Sequence, residues 1–188
     1  MEINETVVLD DRGFIKINGE EAKDFLQNIV TNDIEKIKEN FTLFSSILTP
    51  QGKYLYEFFI LKLEDGYLLE CEKSIVPEII KILDFYKLRA KVNLVDVSKK
   101  YKCVIVSLEK FKEVSVNEIL KGSTIIYSGG PMYIDPRNKN LGAKIISEIT
   151  NVENLIKNLN LKKIDKKNYY IKSFNLGIPQ INLGKLKG

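Results

Sequence analysis

The chain has 188 residues, 44% of them apolar and 29% charged, the balance of a folded protein long enough to bury a core in one large or two small domains. Its net charge of +4 is spread over lysines interleaved with acids, so Lys162-Lys163, Lys166-Lys167 and the pair Lys185 and Lys187 read as solvated surface, with no direct nucleic-acid partner expected. A histidine count of 0 excludes the usual general base and any Ser-His or Cys-His dyad, and the isolated Cys71 and Cys103 lack the CxxC spacing of a metal or redox pair.

In chain order, residues Val7 to Asn18 predict a hairpin around Asp10-Asp11-Arg12-Gly13. Glu20 to Asn28 predicts a helix, because Ala22, Phe25, Leu26 and Ile29 recur on one face. Thr31-Asn32-Asp33 then reads two ways: as a cap for a helical turn through Ile34 to Lys38, or with Asn32 at the mouth of a pocket. Phe41 to Leu48, Lys53 to Leu63 and Tyr67 to Glu72 form an antiparallel meander, with Thr49-Pro50-Gln51-Gly52 as a type I turn and Glu64-Asp65-Gly66 as the second turn. Ser74 precedes a helix with Val76, Ile79, Ile80, Leu83 and Tyr86 as its buried stripe, and Val92 to Val97 predicts a further strand.

The pattern restarts with a strand from Tyr101 to Leu108, a short helix near Val116 to Leu120, and a strand from Ser123 to Tyr127. Gly129-Gly130-Pro131 is a turn, followed by strands at Met132 to Ile134 and Leu141 to Ile146, a helix from Val152 to Leu159, and a helix from Asp165 to Asn175 closed by Gly177 and Pro179. Gln180 to Gly188 carries little regular pattern. The expected class is α+β. Its parts are a first antiparallel-sheet-plus-helix unit over residues 1–97, a second over 98–164, and a segment, 165–188, returning to the first. No apolar run reaches the ~20 residues that span a bilayer, and Glu2, Glu5, Asp10 and Asp11 give the N-terminus no signal-peptide character, so the expected place is the cytoplasm, with no membrane partner.

Glu57 is the sharpest chemical candidate. It lies in the strand Tyr54 to Ile60, where strict alternation puts Tyr54, Tyr56, Phe58 and Ile60 on one face and Leu55, Glu57 and Phe59 on the other. A carboxylate among large apolar side chains sits at a pocket rim or needs a partner, a surface lysine being the alternative. Glu70, on the next strand, either faces solvent or shares a cavity with Glu57, where like charge would raise one of the two pKa values. Tyr54, Tyr56, Phe58 and Phe59 offer either core or a stacking wall for a planar heterocycle. Arg89 and Arg137 stand out among lysines as bidentate carboxylate donors, the alternatives being an Arg89 pair with Asp96 and a turn fixed by Asp135-Pro136-Arg137.

Phe25-Leu26-Gln27 through Val30-Thr31-Asn32-Asp33, then Leu48-Thr49-Pro50-Gln51-Gly52-Lys53, resemble the FLQ-x-x-V-TND and LTPQGK segments of the YgfZ-type folate-binding proteins, relatives of the glycine-cleavage T protein, an aminomethyltransferase. The resemblance continues through Leu69-Glu70-Cys71-Glu72, Tyr86 to Val92, Asp135-Pro136-Arg137 with Leu141-Gly142, and Gly177-Ile178-Pro179. It implies the aminomethyltransferase folate-binding fold and tetrahydrofolate as ligand. It also implies a role in iron-sulfur cluster assembly or repair, and through it in tRNA-modifying enzymes, with iron-sulfur proteins as partners.

On that basis the cofactor-binding residues are Asn32, Tyr56, Glu57, Glu70, Arg89 and Arg137: acids for the pterin, arginines for the glutamate tail. The family's paired aspartates fall on Tyr56-Glu57, which favours folate binding without the transfer reaction. A true aminomethyltransferase and a non-catalytic interaction module are the alternatives. The family's KGCYxGQE signature and C-terminal β-barrel are not among these 188 residues, so the chain resembles the first two-thirds of a member.

Overall fold

A computed structural model describes residues 1–38, 40–115 and 119–178. The expectations for Val116 to Glu118, Pro179, Gln180 to Gly188, and Lys185 with Lys187 fall outside the described residues. The described residues divide into two units, one of Met1–Asp10 with residues 100–178, the other of Asp11–Lys99.

Strand β1 (Glu5–Leu9) belongs to the first of these, and β2 (Arg12–Asn18) to the second. The predicted hairpin is therefore not formed. β1 pairs with a later strand through Val7↔Ile105 and Leu9↔Cys103, whereas β2 pairs through Phe14↔Glu70 and Ile15↔Asp96. Both strands are rich in buried apolar residues, so sequence proximity across Asp10-Asp11 carries no information about which neighbour each one takes.

In the Asp11–Lys99 unit the chain continues through α1 (Ala22–Gln27), a 3-10 turn at Ile34–Lys36, β3 (Leu43–Leu48), β4 (Tyr54–Leu63), β5 (Gly66–Glu72), α2 (Val76–Lys87) and β6 (Asn93–Asp96). The sheet order is β3-β4-β5-β2-β6, antiparallel throughout, so the expected meander is present and β2 adds to its far side. α1 and α2 supply Phe25, Leu26, Val76, Ile79 and Leu83 to a core built on Ile15, Ile17, Phe58, Ile60 and Leu69 of one sheet face. The helix can approach β2 closely because Gly13 has no side chain: a Cβ there would lie 2.4 Å from Val76 Cγ2 and 2.9 Å from Lys73 Cα.

The other unit comprises β1, β7 (Tyr101–Val106), α3 (Leu108–Val114), β8 (Thr124–Tyr127), β9 (Gly130–Ile134), β10 (Ala143–Glu148), α4 (Val152–Asn158), β11 (Lys162–Lys163) and α5 (Lys166–Asn175). Its sheet order is β11-β1-β7-β10-β9-β8. Phe111 of α3 and Leu155, Ile156 and Val152 of α4 close its core over Val104, Met132, Ile134 and Ile145. Helix α3 lies ahead of the helix expected near Val116 to Leu120, in residues for which no helix was expected, and the Ser107 hydroxyl accepts from the Lys110 N–H as its N-cap.

The segment after residue 164 also differs from expectation. β11 runs parallel to β1, Ile164 N–H donates to Thr6 O at 2.8 Å, and α5 packs on β1, so this segment joins the β1 unit rather than residues 11–99. Among the described residues no helix is long and apolar enough to cross a membrane.

Candidate functional site

The geometry around Glu57 starts from an irregularity in β4. Ile47 pairs with Tyr56 but Leu48 pairs with Tyr54, so Leu55 is an extra residue and the strand carries a β-bulge. Strict alternation fails there. The bulge takes Tyr54 off the Tyr56 face and onto the Glu57 face, and the Tyr54 hydroxyl donates to Glu57 Oε2 at 2.9 Å. Burial, with the Glu57 carboxylate beside it, pushes the Tyr54 phenol well above its ordinary 10.0, so it stays a donor. Glu57 is half-buried and stands opposite Ser46 of β3.

Tyr56 and Glu57 point to opposite faces, as consecutive strand residues must. Tyr56 packs against the helix-covered core, where burial and then the Glu78 charge raise its pKa. A ligand lying on one face of β4 reaches one of these two side chains. Phe58 is fully buried in the same core as Tyr56, and Phe59, on the Glu57 face, is 1% exposed and stacks on Phe44 with centroids 5.2 Å apart.

Glu70 lies on the Glu57 face too, because it pairs with Phe59, two residues beyond Glu57. Instead of meeting solvent it is 0% exposed, and Arg12 Nε donates to its Oε1 at 2.8 Å. The guanidinium carbon of Arg12 is 5.9 Å from the Phe59 ring centroid. The two acids therefore share a face, but the charge nearest Glu70 is a guanidinium rather than a second carboxylate. Arg12 was missed as a site residue; its rarity among lysines was the available signal, and only strand register shows that it reaches Glu70.

The Phe25 to Asp33 segment is a clip. Gln27 Oε1 accepts from Ile34 N–H at 2.7 Å, Thr31 Oγ1 from Ser46 N–H at 3.1 Å, and Asp33 Oδ1 from Glu35 N–H at 3.0 Å as the cap of the 3-10 turn. Asn32 Nδ2 donates to Phe44 O at 3.1 Å, and its Oδ1 accepts from Asp33 N–H. These bonds fix the α1 exit to β3 and so hold the two family-like segments together. Between them lies an open, largely apolar cleft of about 280 Å³, lined by Asn28, Ile29, Ile47, Leu48, Thr49, Pro50 and, from α2, Tyr86.

Arg89 is exposed in the turn after α2, and the Asp96 carboxylate that might have held it accepts instead from Ser98 N–H. Arg137 belongs to the other unit, where its Nε and Nη2 bind Asp135 at 3.0 and 2.8 Å and both side chains are nearly buried. The turn-fixing reading of Asp135-Pro136-Arg137 accounts for those bonds.

No family model matches the chain. It is similar to the iron-sulfur cluster assembly factor IBA57 homolog, mitochondrial, of Dictyostelium discoideum, at 23% identity over 93% of this chain and 49% of that protein. A shorter stretch is 40% identical to an aminomethyltransferase of Desulforamulus reducens, covering 33% of this chain and 17% of that one. Among solved structures, the glycine cleavage system aminomethyltransferase T from Bartonella henselae superposes with a TM-score of 0.76 at 12% identity, over 92% of this chain and 51% of that one. The fold is therefore the α+β fold of aminomethyltransferase T, and the chain spans about half the length of the Dictyostelium relative and of the Bartonella structure. The cytoplasmic expectation is corrected, because the assembly-factor relatives are named as mitochondrial proteins. That expectation rested on what the N-terminal residues lack, and such an absence does not fix a compartment.

Proposed function

We propose that this chain is a reduced-folate-binding module of the YgfZ and IBA57 kind, serving iron-sulfur cluster assembly. Three things support the reading: the aminomethyltransferase T fold, relatives named as iron-sulfur cluster assembly factors, and the Glu57 face of the five-stranded sheet. The observation that carries the folate part is Glu57 itself, a half-buried carboxylate beside a phenol donor, on the face that also carries the half-buried Phe44 ring. Those groups suit a pterin, whose ring N–H groups need an acceptor and whose flat face needs aromatic neighbours. In this reading Glu57 holds the heterocycle, with Glu70 behind it fixed by Arg12, and Asn32 keeps β3 in register. Arg89, exposed after α2, is the proposed contact of the glutamate tail, whereas Arg137 belongs to the other unit and already binds Asp135. The partners are iron-sulfur proteins, tRNA-modifying enzymes among them.

Isothermal titration of the chain with tetrahydrofolate tests this, and saturable weak binding is the expected result; no heat of binding over the accessible range contradicts it. The 63-residue likeness to an aminomethyltransferase favours a second reading, transfer of a one-carbon unit to folate. Against it, Tyr56-Glu57 stands where the family's two aspartates are expected, and a displaced acid costs roughly 10²- to 10⁴-fold in rate. We expect no turnover with an aminomethyl-lipoyl carrier and tetrahydrofolate, and robust turnover reverses the order of the two readings.

A further inference from the structure

The end of α2 carries a feature that the folate reading does not use. Leu88 follows the last helical residue with φ 49° and ψ −109°, a conformation that a leucine adopts only at a cost, and its side chain is 85% exposed. A glycine would end the helix here without strain, so the chain keeps a large apolar side chain in water at a strained position. Phe85, one turn earlier, is 73% exposed and stacks edge-on against Tyr86 at 5.4 Å. Tyr86 in turn lines the apolar cleft with Ile29, Leu48 and Pro50. Through the Phe85–Tyr86 ring contact the cleft adjoins the exposed apolar end of α2 within the Asp11–Lys99 unit.

Two exposed cations stand in the segments that bound it. Arg89 follows Leu88, and Lys53 closes the turn beyond Pro50, its carbonyl accepting from Thr49 N–H at 2.7 Å; both side chains are exposed, and among the described residues neither forms an ion pair. The acids nearest in sequence are engaged, Asp84 by Lys87 at 3.0 Å and Glu57 by Tyr54.

We propose that this surface is a docking site for an amphipathic helix of a partner protein, with apolar residues at i, i+3, i+4 and i+7 seated on the cleft and the exposed end of α2, and acidic residues meeting Lys53 and Arg89. Helix-in-groove recognition uses such an apolar trough with charge at the rim to set orientation. The inference shares Arg89 with the folate reading but uses neither Glu57 nor Glu70, and tetrahydrofolate binding that Leu88→Gly leaves unchanged separates the two.

The test is fluorescence anisotropy with a labelled synthetic helix bearing leucines at those positions and glutamates on its other face, beside the same peptide with lysines replacing the glutamates. The acidic probe should bind, more weakly as salt rises, and the basic probe should not. Leu88→Gly should weaken binding by about tenfold while leaving the melting temperature unchanged or higher, because glycine relieves the backbone strain. Lys53→Glu with Arg89→Glu should abolish the preference for the acidic probe. Equal binding of both probes, or unchanged binding by Leu88→Gly, overturns the proposal. So does a concentration-dependent dimer in light scattering that Leu88→Gly dissolves, since the surface would then belong to a second copy.

Discussion

The Arg12–Glu70 pair shows how much a single register contact decides. Glu70 is fully buried in β5, and the guanidinium 2.8 Å away is the cation bonded to it across the sheet. Arg12→Met should therefore cost about 3–5 kcal/mol in urea unfolding, because a buried carboxylate loses a charged partner at hydrogen-bond distance, and Arg12→Met with Glu70→Leu should recover most of that loss. A loss below about 1 kcal/mol for the single change means the pair is solvated. Cys71, on the helix-covered face of the same strand, gives a pH signature. Burial pushes its thiol from an ordinary 9.0 up to about 12. A raised folded-state pKa means the native state holds its proton longer than the unfolded one. This contribution to stability is complete below pH 9 and is lost as pH rises toward 12. Native protein should thus resist a thiol reagent at pH 8 and react on unfolding; rapid native labelling contradicts the burial. At this scale the acids were legible in the sequence as charges inside apolar strands. Their partners were not, since Tyr54 depends on a bulge and Arg12 on which strand sits beside β5.

Elements were most legible where local pattern and turn chemistry agreed. The β3-β4-β5 meander, the Thr49 to Gly52 turn and the buried stripe of α2 follow from periodicity and from Pro and Gly placement. Two elements escaped for different reasons. The Val7 to Asn18 hairpin failed because both strands are apolar enough to be buried in either sheet, and α3 was hidden because Ser107-Leu108 reads as the end of a strand until its cap is seen. The clip formed by Thr31, Asn32 and Asp33 was legible as a cap, but its reach to β3 was not. Asn32→Ala should lower stability by about 1–3 kcal/mol, as it leaves Phe44 O without that donor. Gly13→Ala should cost a similar ~1–3 kcal/mol by forcing α2 off β2. Thermal unfolding of both variants checks the claims, and an unaffected midpoint for Gly13→Ala means that helix and strand are not in close contact.

For the molecule as a whole, fold and function stand on different supports. The α+β fold of aminomethyltransferase T extends over nearly all of this chain, while the proposed assembly role leans on relatives of about twice its length and the proposed folate role on sequence resemblance. The family-like segments were readable because they hold the backbone: the α1 exit, the Thr49 turn and the Asp135 turn each bind their own neighbours. What the sequence could not reveal is which of those residues are left for a ligand. Glu57 is half-buried, and a tyrosine donor stands beside it on its face of the sheet. Calorimetric titration of wild type and Glu57→Gln with tetrahydrofolate is therefore the most direct measurement. Binding weakened by roughly 1.5 to 3 kcal/mol, the range for a hydrogen bond to a charged group, is the predicted result; wild-type binding that the substitution leaves within about 0.5 kcal/mol contradicts a ligand role for Glu57.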